Sequence, residues 1–213
     1  EEKMSLYMMI GLIGLSYIVI FGGMALIRRE GLSTRFAIES LCITAIFTIL
    51  AYFTAIQIHP VLFLILLYLV TLRARIISDL GVMVARRGNF VQAERIYNLA
   101  SHLWPDQTSE LIIKINLATL LLQKKQLDES ISMFTEVLSE ANKPFLGVKY
   151  EAAAHYNLGV AHLRNNDSSR AMVEFNNVLD TWPASLYARR ASEALERLHK
   201  KPAQPIDDTP SDS

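Results

Sequence analysis

His155 and His162 lie seven residues apart, a spacing that brings two imidazoles to one helix face and could offer both to a metal ion. No carboxylate or cysteine completes a ligand set around them, so both read as ordinary helix-face residues, and no metal is expected. Glu39 stands near the start of a long apolar run, where a carboxylate could serve a proton path. At the edge of that run and near a helix N-terminus, it reads instead as an interfacial charge. Cys42 is the single cysteine; it excludes an intrachain disulfide and a cysteine-based zinc cluster, and reads as a small apolar filler. The tripeptide NDS at 166–168 matches a glycosylation acceptor but reads as a chance match in a turn. Arg86 and Arg164 recur at equivalent positions near helix C-termini, where a guanidinium either favours the helix dipole or holds a partner's carboxylate. There is no Gly-rich phosphate loop, no nucleophile elbow, no His pair at one-turn spacing and no concentrated carboxylate pair in an apolar setting. An enzyme is therefore not expected, nor a cofactor.

The elements that must position these residues are of two kinds. Hydrophobic residues make up 51% of the chain's 213, and the excess lies at the front. Runs at 6–27 and 36–56 each exceed the ~20 residues that cross a bilayer as helix, and both are expected to span. A third run, 61–72, is shorter, and is expected to span if the helix continues to about Ile77 with Arg73 and Arg75 snorkelling to the interface. Pro60, in QIHP, is where the chain should turn between the second and third spans. Arg28, Arg29 and Arg35 follow the first run, and Arg73, Arg75, Arg86 and Arg87 follow the third; QIHP holds no Lys or Arg. Three crossings put all these arginines on the cytoplasmic side, as the positive-inside bias requires. The first run is too long for a cleaved signal, whose apolar core is roughly 7–15 residues. The partners expected at this stage are the lipid bilayer and other membrane proteins; with 21 basic and 21 acidic residues, no nucleic acid.

The remainder repeats itself. RRGNFVQAERIYNLASHLWP at 86–105 returns as RNNDSSRAMVEFNNVLDTWP at 164–183. Ala93 meets Ala171, Tyr97 meets Phe175, and Pro105 meets Pro183, while the preceding Leu80-Gly81 meets Leu158-Gly159. A weaker copy between them carries Leu117-Ala118, Ser130, Phe134 and Val137. Three helix–turn–helix units follow one another, and repeats of this length bury a face only by stacking. The segment at 184–200 has the polar outer face of a capping helix, and PAQPIDDTPSDS is expected to be disordered.

Leu-Gly in the first helix, a small residue and then an aromatic four later in the second, and a closing proline resemble the tetratricopeptide repeat over about residues 76–200. The resemblance implies an α-solenoid of three repeats with its cap (78–200); with the apolar runs before it and the polar segment after it, the chain reads as all-α, with an N-terminal membrane anchor (1–77), the solenoid and a tail (201–213). Gly81, Gly159, Ala93 and Ala171 permit close helix approach; Tyr97, Phe134 and Phe175 fill the space between; Pro105 and Pro183 help stop the second helix. The middle unit departs, with Ala118, Ser130 and Asn142 where the pattern has glycine, alanine and proline.

In this family the first helices line a concave groove for a peptide or a partner's helix. By register, that groove falls on Ser78, Val82, Ala85 and Arg86; on Ile115, Thr119, Leu122 and Gln123; and on Tyr156, Val160, Leu163 and Arg164. Such a trough suits an amphipathic or extended protein segment, with the two arginines available to a carboxylate. Relatives that hold acidic chaperone tails use basic residues and asparagines there; Ser78, Val82, Ala153 and Asn157 depart from that pattern and only Asn116 matches. The implied function is a non-catalytic membrane-anchored scaffold or adaptor, its repeat domain cytoplasmic, that aids assembly of membrane complexes. The alternative is a permanent small subunit of a larger complex; transporter and enzyme rank behind both.

Overall fold

The computed structural model describes residues 5–28, 30, 33–54, 59–140 and 146–200. Within them are ten helices and no strand. The expected tail, Arg29, the first half of QIHP and most of EANKPFLG lie outside the described residues.

The front of the chain forms three apolar helices, α1 (Leu6–Ile27), α2 (Thr34–Phe53) and α3 (Pro60–Thr71). Ile10, Tyr17, Phe63 and Leu67 form their buried seam, with Phe21, Phe36 and Phe47 packed around it. Gly14 lets α1 approach Thr44 of α2 so closely that a Cβ there would strike the threonine side chain. Tyr17 and Thr71 hydroxyls meet at 2.8 Å and join α1 to the end of α3. Among the described residues, α1 and α2 are the helices long and apolar enough to cross a membrane individually.

The third apolar helix does not continue to Ile77. It ends at Thr71, and α4 (Arg73–Arg86) leaves at a bend of 72°. The reason is Arg73, which makes five hydrogen bonds. Nε donates to the Leu103 carbonyl (2.8 Å), Nη1 to Val70 O (2.7 Å) and Glu39 Oε2 (2.8 Å), and Nη2 to Glu39 Oε1 (3.2 Å) and Trp104 O (3.2 Å). Every N–H of the guanidinium fork thus has an acceptor, and two helix C-termini gain a donor for their free carbonyls. A straight helix would keep the Val70 carbonyl near Arg73 but carry the side chain away from Leu103 and Trp104.

From α4 onward the chain alternates between two layers. α4, α6 (Gln107–Gln123), α8 (Val148–Arg164) and α10 (Leu186–Lys200) pack successively on one another; α5 (Phe90–His102), α7 (Leu127–Glu140) and α9 (Ser168–Thr181) each bridge the helix before and the helix after. The small-residue positions explain the contact. A Cβ on Gly81 would lie 2.5 Å from Tyr97 Cε1, and one on Gly159 would lie 2.7 Å from Phe175 Cε1. Ala93, Ala171, Phe134 and Phe175 are wholly buried, and Tyr97 almost so. In the middle pair, Ser130 occupies the small-residue position without loss because its hydroxyl donates to the Ala118 carbonyl at 2.9 Å. α10 closes the stack by burying Ala188, Ala191 and Leu195 against Phe175 and Val178.

Each turn within a pair is built alike. Gly88, Lys125 and Asn166 take left-handed φ values of 81°, 64° and 60°, and the amides of Asn89, Gln126 and Asp167 reach back to the carbonyls of Val84, Leu121 and His162. Asn89 and Asp167 then cap the following helix through Gln92 N and Arg170 N. Lys125 adopts the left-handed region at a cost of about 1 kcal/mol that glycine would avoid. Lys125→Gly is accordingly expected to raise the thermal midpoint of the stack in circular dichroism melts, and an unchanged or lowered midpoint would contradict this.

Candidate interaction groove

A cavity of about 350 Å³ opens between the first helices of the three pairs. α4 contributes Val82, Ala85 and Arg86 together with Asp79; α6 contributes Ile115, Thr119 and Gln123 together with Asn116. α8 contributes Lys149, Tyr150, Ala153 and Asn157, and α10 brings Tyr187. The cavity therefore crosses the layer obliquely, from the C-terminal half of α4 to the N-terminal half of α8.

That tilt separates the expected groove residues. Val82, Arg86, Ile115, Thr119 and Gln123 line the cavity, as does Ala85. Ser78 and Leu122 are buried within the stack. Tyr156, Val160 and Arg164 do not line this cavity. Tyr156 stacks against Phe175 and Tyr187, with ring centroids 5.9 and 5.7 Å away, and Val160 packs on the same cluster, because α10 covers this part of α8. Arg164 turns to α6 and donates to the Leu122 carbonyl at 3.1 Å, so it joins adjacent pairs. Leu163 is likewise absent from the wall. The residues that replace them, Lys149, Ala153 and Asn157, follow at i, i+4 and i+8, a stripe on α8 that was readable once shifted by one position.

The wall is more polar than the sequence register implied. Asn116 Nδ2 donates to Ser78 Oγ at 3.0 Å, and Asn157 Nδ2 donates to Thr119 Oγ1 at 3.2 Å, a ladder of side-chain amides tying each pair to the one before. Arg86 and Lys149 supply positive charge and Asp79 negative charge. Burial pushes the Tyr97 phenol up to about 12, the Asp79 carboxylate adds to this, and Arg86 opposes it. Burial also raises Tyr150, against the opposing charge of Arg75. Both hydroxyls are therefore protonated donors at neutral pH. Such a wall can accept an extended backbone and side-chain carboxylates; it has no nucleophile and base in contact.

The remaining candidates have local roles. His155 Nδ1 lies 2.7 Å from Glu174 Oε2, and His162 is buried. Among the described residues no three His, Cys, Asp or Glu side chains are grouped to hold a metal ion. Glu39 accepts from Arg73 and, at 3.2 Å, from Arg35 Nε. Arg35 Nη1 also reaches the Pro105 carbonyl at 3.4 Å, so the first Trp-Pro is bound to the start of α2. Trp104 itself is 74% exposed with φ 49°, a rare conformation for a bulky residue, while its carbonyl is held by Arg73. Trp182-Pro183 lies across a cleft from Ile27 and Arg28 at the end of α1. Both copies of Trp-Pro thus sit on the edge of the stack that meets the apolar helices. Their position was not predicted, since it depends on the bend at Leu72.

No protein-family model matches this chain, and neither does any curated protein. Among solved structures it is similar to the N-terminal domain of stress-induced protein-1 from C. elegans, with 22% identity and a TM-score of 0.48, over 62% of this chain and 98% of that one.

Proposed function

We propose that this protein is a membrane-anchored, non-catalytic scaffold whose helical stack receives a segment of a partner protein in its oblique groove. The observation that carries the reading is the open cavity on the layer of first helices, lined by Arg86, Lys149, Asn116, Asn157 and Tyr150, with no catalytic constellation beside it. A wall of amide and phenol donors with a small positive excess suits an extended segment bearing a carboxylate. In this reading α1 and α2 cross the bilayer, and α3, too short at 12 residues to cross by itself, carries the chain back to the side where α2 begins, since Arg73 just beyond it meets Glu39; the arginines that follow α1 and α3 favour a cytoplasmic stack. The two Trp-Pro edges lie at headgroup depth, where indole rings are favoured. A scaffold so built holds a soluble segment in the groove while its apolar helices meet other membrane proteins.

The test is photo-crosslinking in native membranes from a photoreactive residue at Gln123, on the groove wall and exposed, against a control at Val173, exposed on α9. A discrete protein partner is expected from Gln123 and none from Val173. The same adducts from both positions, or none from either, would sink the groove as the binding site. Because the protein has two tryptophans, Trp104 and Trp182, its native fluorescence reports on the membrane edge. Brominated phospholipids are expected to quench it strongly in reconstituted vesicles, and no quenching would overturn this orientation.

A further inference from the structure

A second cavity, about 440 Å³, lies where the apolar helices meet the stack, within the roughly 300–1,000 Å³ of small-molecule sites. Its two ends differ in chemistry. Phe21 and Gly22 of α1, Phe36 of α2, and Tyr68 and Leu72 at the end of α3 make one end apolar. Arg28, Glu30, Arg75 and Asp106 rim the other.

The charged rim is incompletely satisfied from within. Glu30 is only 7% exposed, and its ion pair with Arg75 Nη2 is long, at 3.4 Å. Charge-assisted pairs of good geometry are nearer 2.7–2.9 Å. Arg75 Nε is buried with no hydrogen-bond partner. A guanidinium has five donors, and an orphaned buried one carries a desolvation penalty unless an acceptor arrives from outside. Asp106, on the same rim, accepts from the Ser109 amide at 2.9 Å and leaves Arg75 Nε without a partner. Arg28, exposed on the same rim, offers a second guanidinium.

An acceptor with two or more anionic oxygens, attached to an apolar chain, fits both ends at once. We infer that this junction is a binding site for one glycerophospholipid, its phosphate held by Arg75 and Arg28 and one acyl chain laid along Phe21, Gly22 and Phe36. The inference rests on the proposed membrane insertion, which puts the rim at headgroup level. A lipid held here bridges α1, α2 and the bend after α3, the elements that set how the stack is carried.

The test is native mass spectrometry of the full chain, extracted in detergent and exchanged from phosphatidylglycerol vesicles. One phospholipid per protein is expected to be retained. Arg75→Gln is expected to lower its occupancy roughly tenfold or more, the loss of a charge-assisted bond. Ala25→Leu, which fills the apolar end from the cavity wall, is expected to lower it comparably with unchanged helicity, so the result does not depend on Arg75→Gln folding normally. Retention of lipid by both variants overturns the site. Inorganic phosphate in place of vesicles separates the two sources of the anion: phosphate binding unaffected by Ala25→Leu would mean an anion site only and would overturn the lipid assignment. Alkaline carbonate extraction of the same membranes keeps the two readings apart. Protein that resists extraction yet holds no lipid defeats this inference alone, whereas protein released by carbonate defeats the membrane reading beneath it.

Discussion

Phe175→Ala is expected to destabilise the third helix pair by about 3–5 kcal/mol, the range for deleting a fully buried ring that cannot be replaced by collapse of its surroundings. Phe175 is wholly buried, and it touches both the pair that carries it and α10, through the cluster of Ala171, Val178, Ala188 and Ala191. Its loss therefore opens a void at the end of the stack and detaches the cap. The companion prediction concerns Gly159. A Cβ there would meet Phe175 Cε1 at 2.7 Å, so Gly159→Ala should cost about 1–3 kcal/mol by overpacking in the native background. With Phe175→Leu in place the ring edge is gone, and the same Gly159→Ala should be neutral or stabilising, because alanine is the better helix residue by about 0.8–1.0 kcal/mol. Circular dichroism melts of the four proteins, full chain in micelles, complete the cycle. Additive effects would mean that Gly159 is not there for the ring. The same cycle applies to Gly81 and Tyr97, where the approach is 2.5 Å.

This pairing of glycine with aromatic explains why the stack was legible in the sequence. The contact lies within one helix pair, so both partners fall in a short window and recur with the repeat. The left-handed turns at Gly88, Lys125 and Asn166 were not read, although they recur at the same spacing, because lysine gives no hint of a positive φ. The third-pair residues named from the sequence lie off this cavity for a tertiary reason. Val160 stands where the first pair has Val82, yet it packs in the cluster closed by α10, while Val82 lines the cavity. The bend at Leu72 was equally hidden, since neither Thr71 nor Leu72 is a helix breaker; Arg73 finds its acceptors 30 or more residues away along the sequence, at Glu39, Leu103 and Trp104. Snorkelling was the natural reading of Arg73 when those partners could not be seen.

Arg73→Met should free the stack from the apolar helices while leaving each folded. The substitution removes all five hydrogen bonds but keeps a long apolar side chain at the start of α4. Glu39 keeps Arg35 as a partner at 3.2 Å, so no carboxylate is stranded. Because Arg73 and Glu39 are about a quarter exposed, the loss is that of partly screened bonds, about 1–3 kcal/mol, rather than that of a fully buried pair. Its larger consequence is geometric. Arg73 touches α2, α3 and the end of α5 together, whereas Arg35 to Pro105 and Arg75 to Glu30 are longer contacts of 3.4 Å. Cys42 is the only cysteine, on α2 and exposed, so a spin label there and a second at Gln123→Cys report the separation of α2 from the groove. One narrow distance distribution is expected in the native background and a broad one in Arg73→Met, with Arg73→Lys between them because an ammonium keeps the charge and loses the fork. A distribution that stays narrow in Arg73→Met would show that the bend is held by packing of α3 on α4 and not by the guanidinium. A broad one would make Arg73 the joint through which the membrane helices aim the groove, and partner capture from Gln123 should then fall in the same variant although no groove residue has changed.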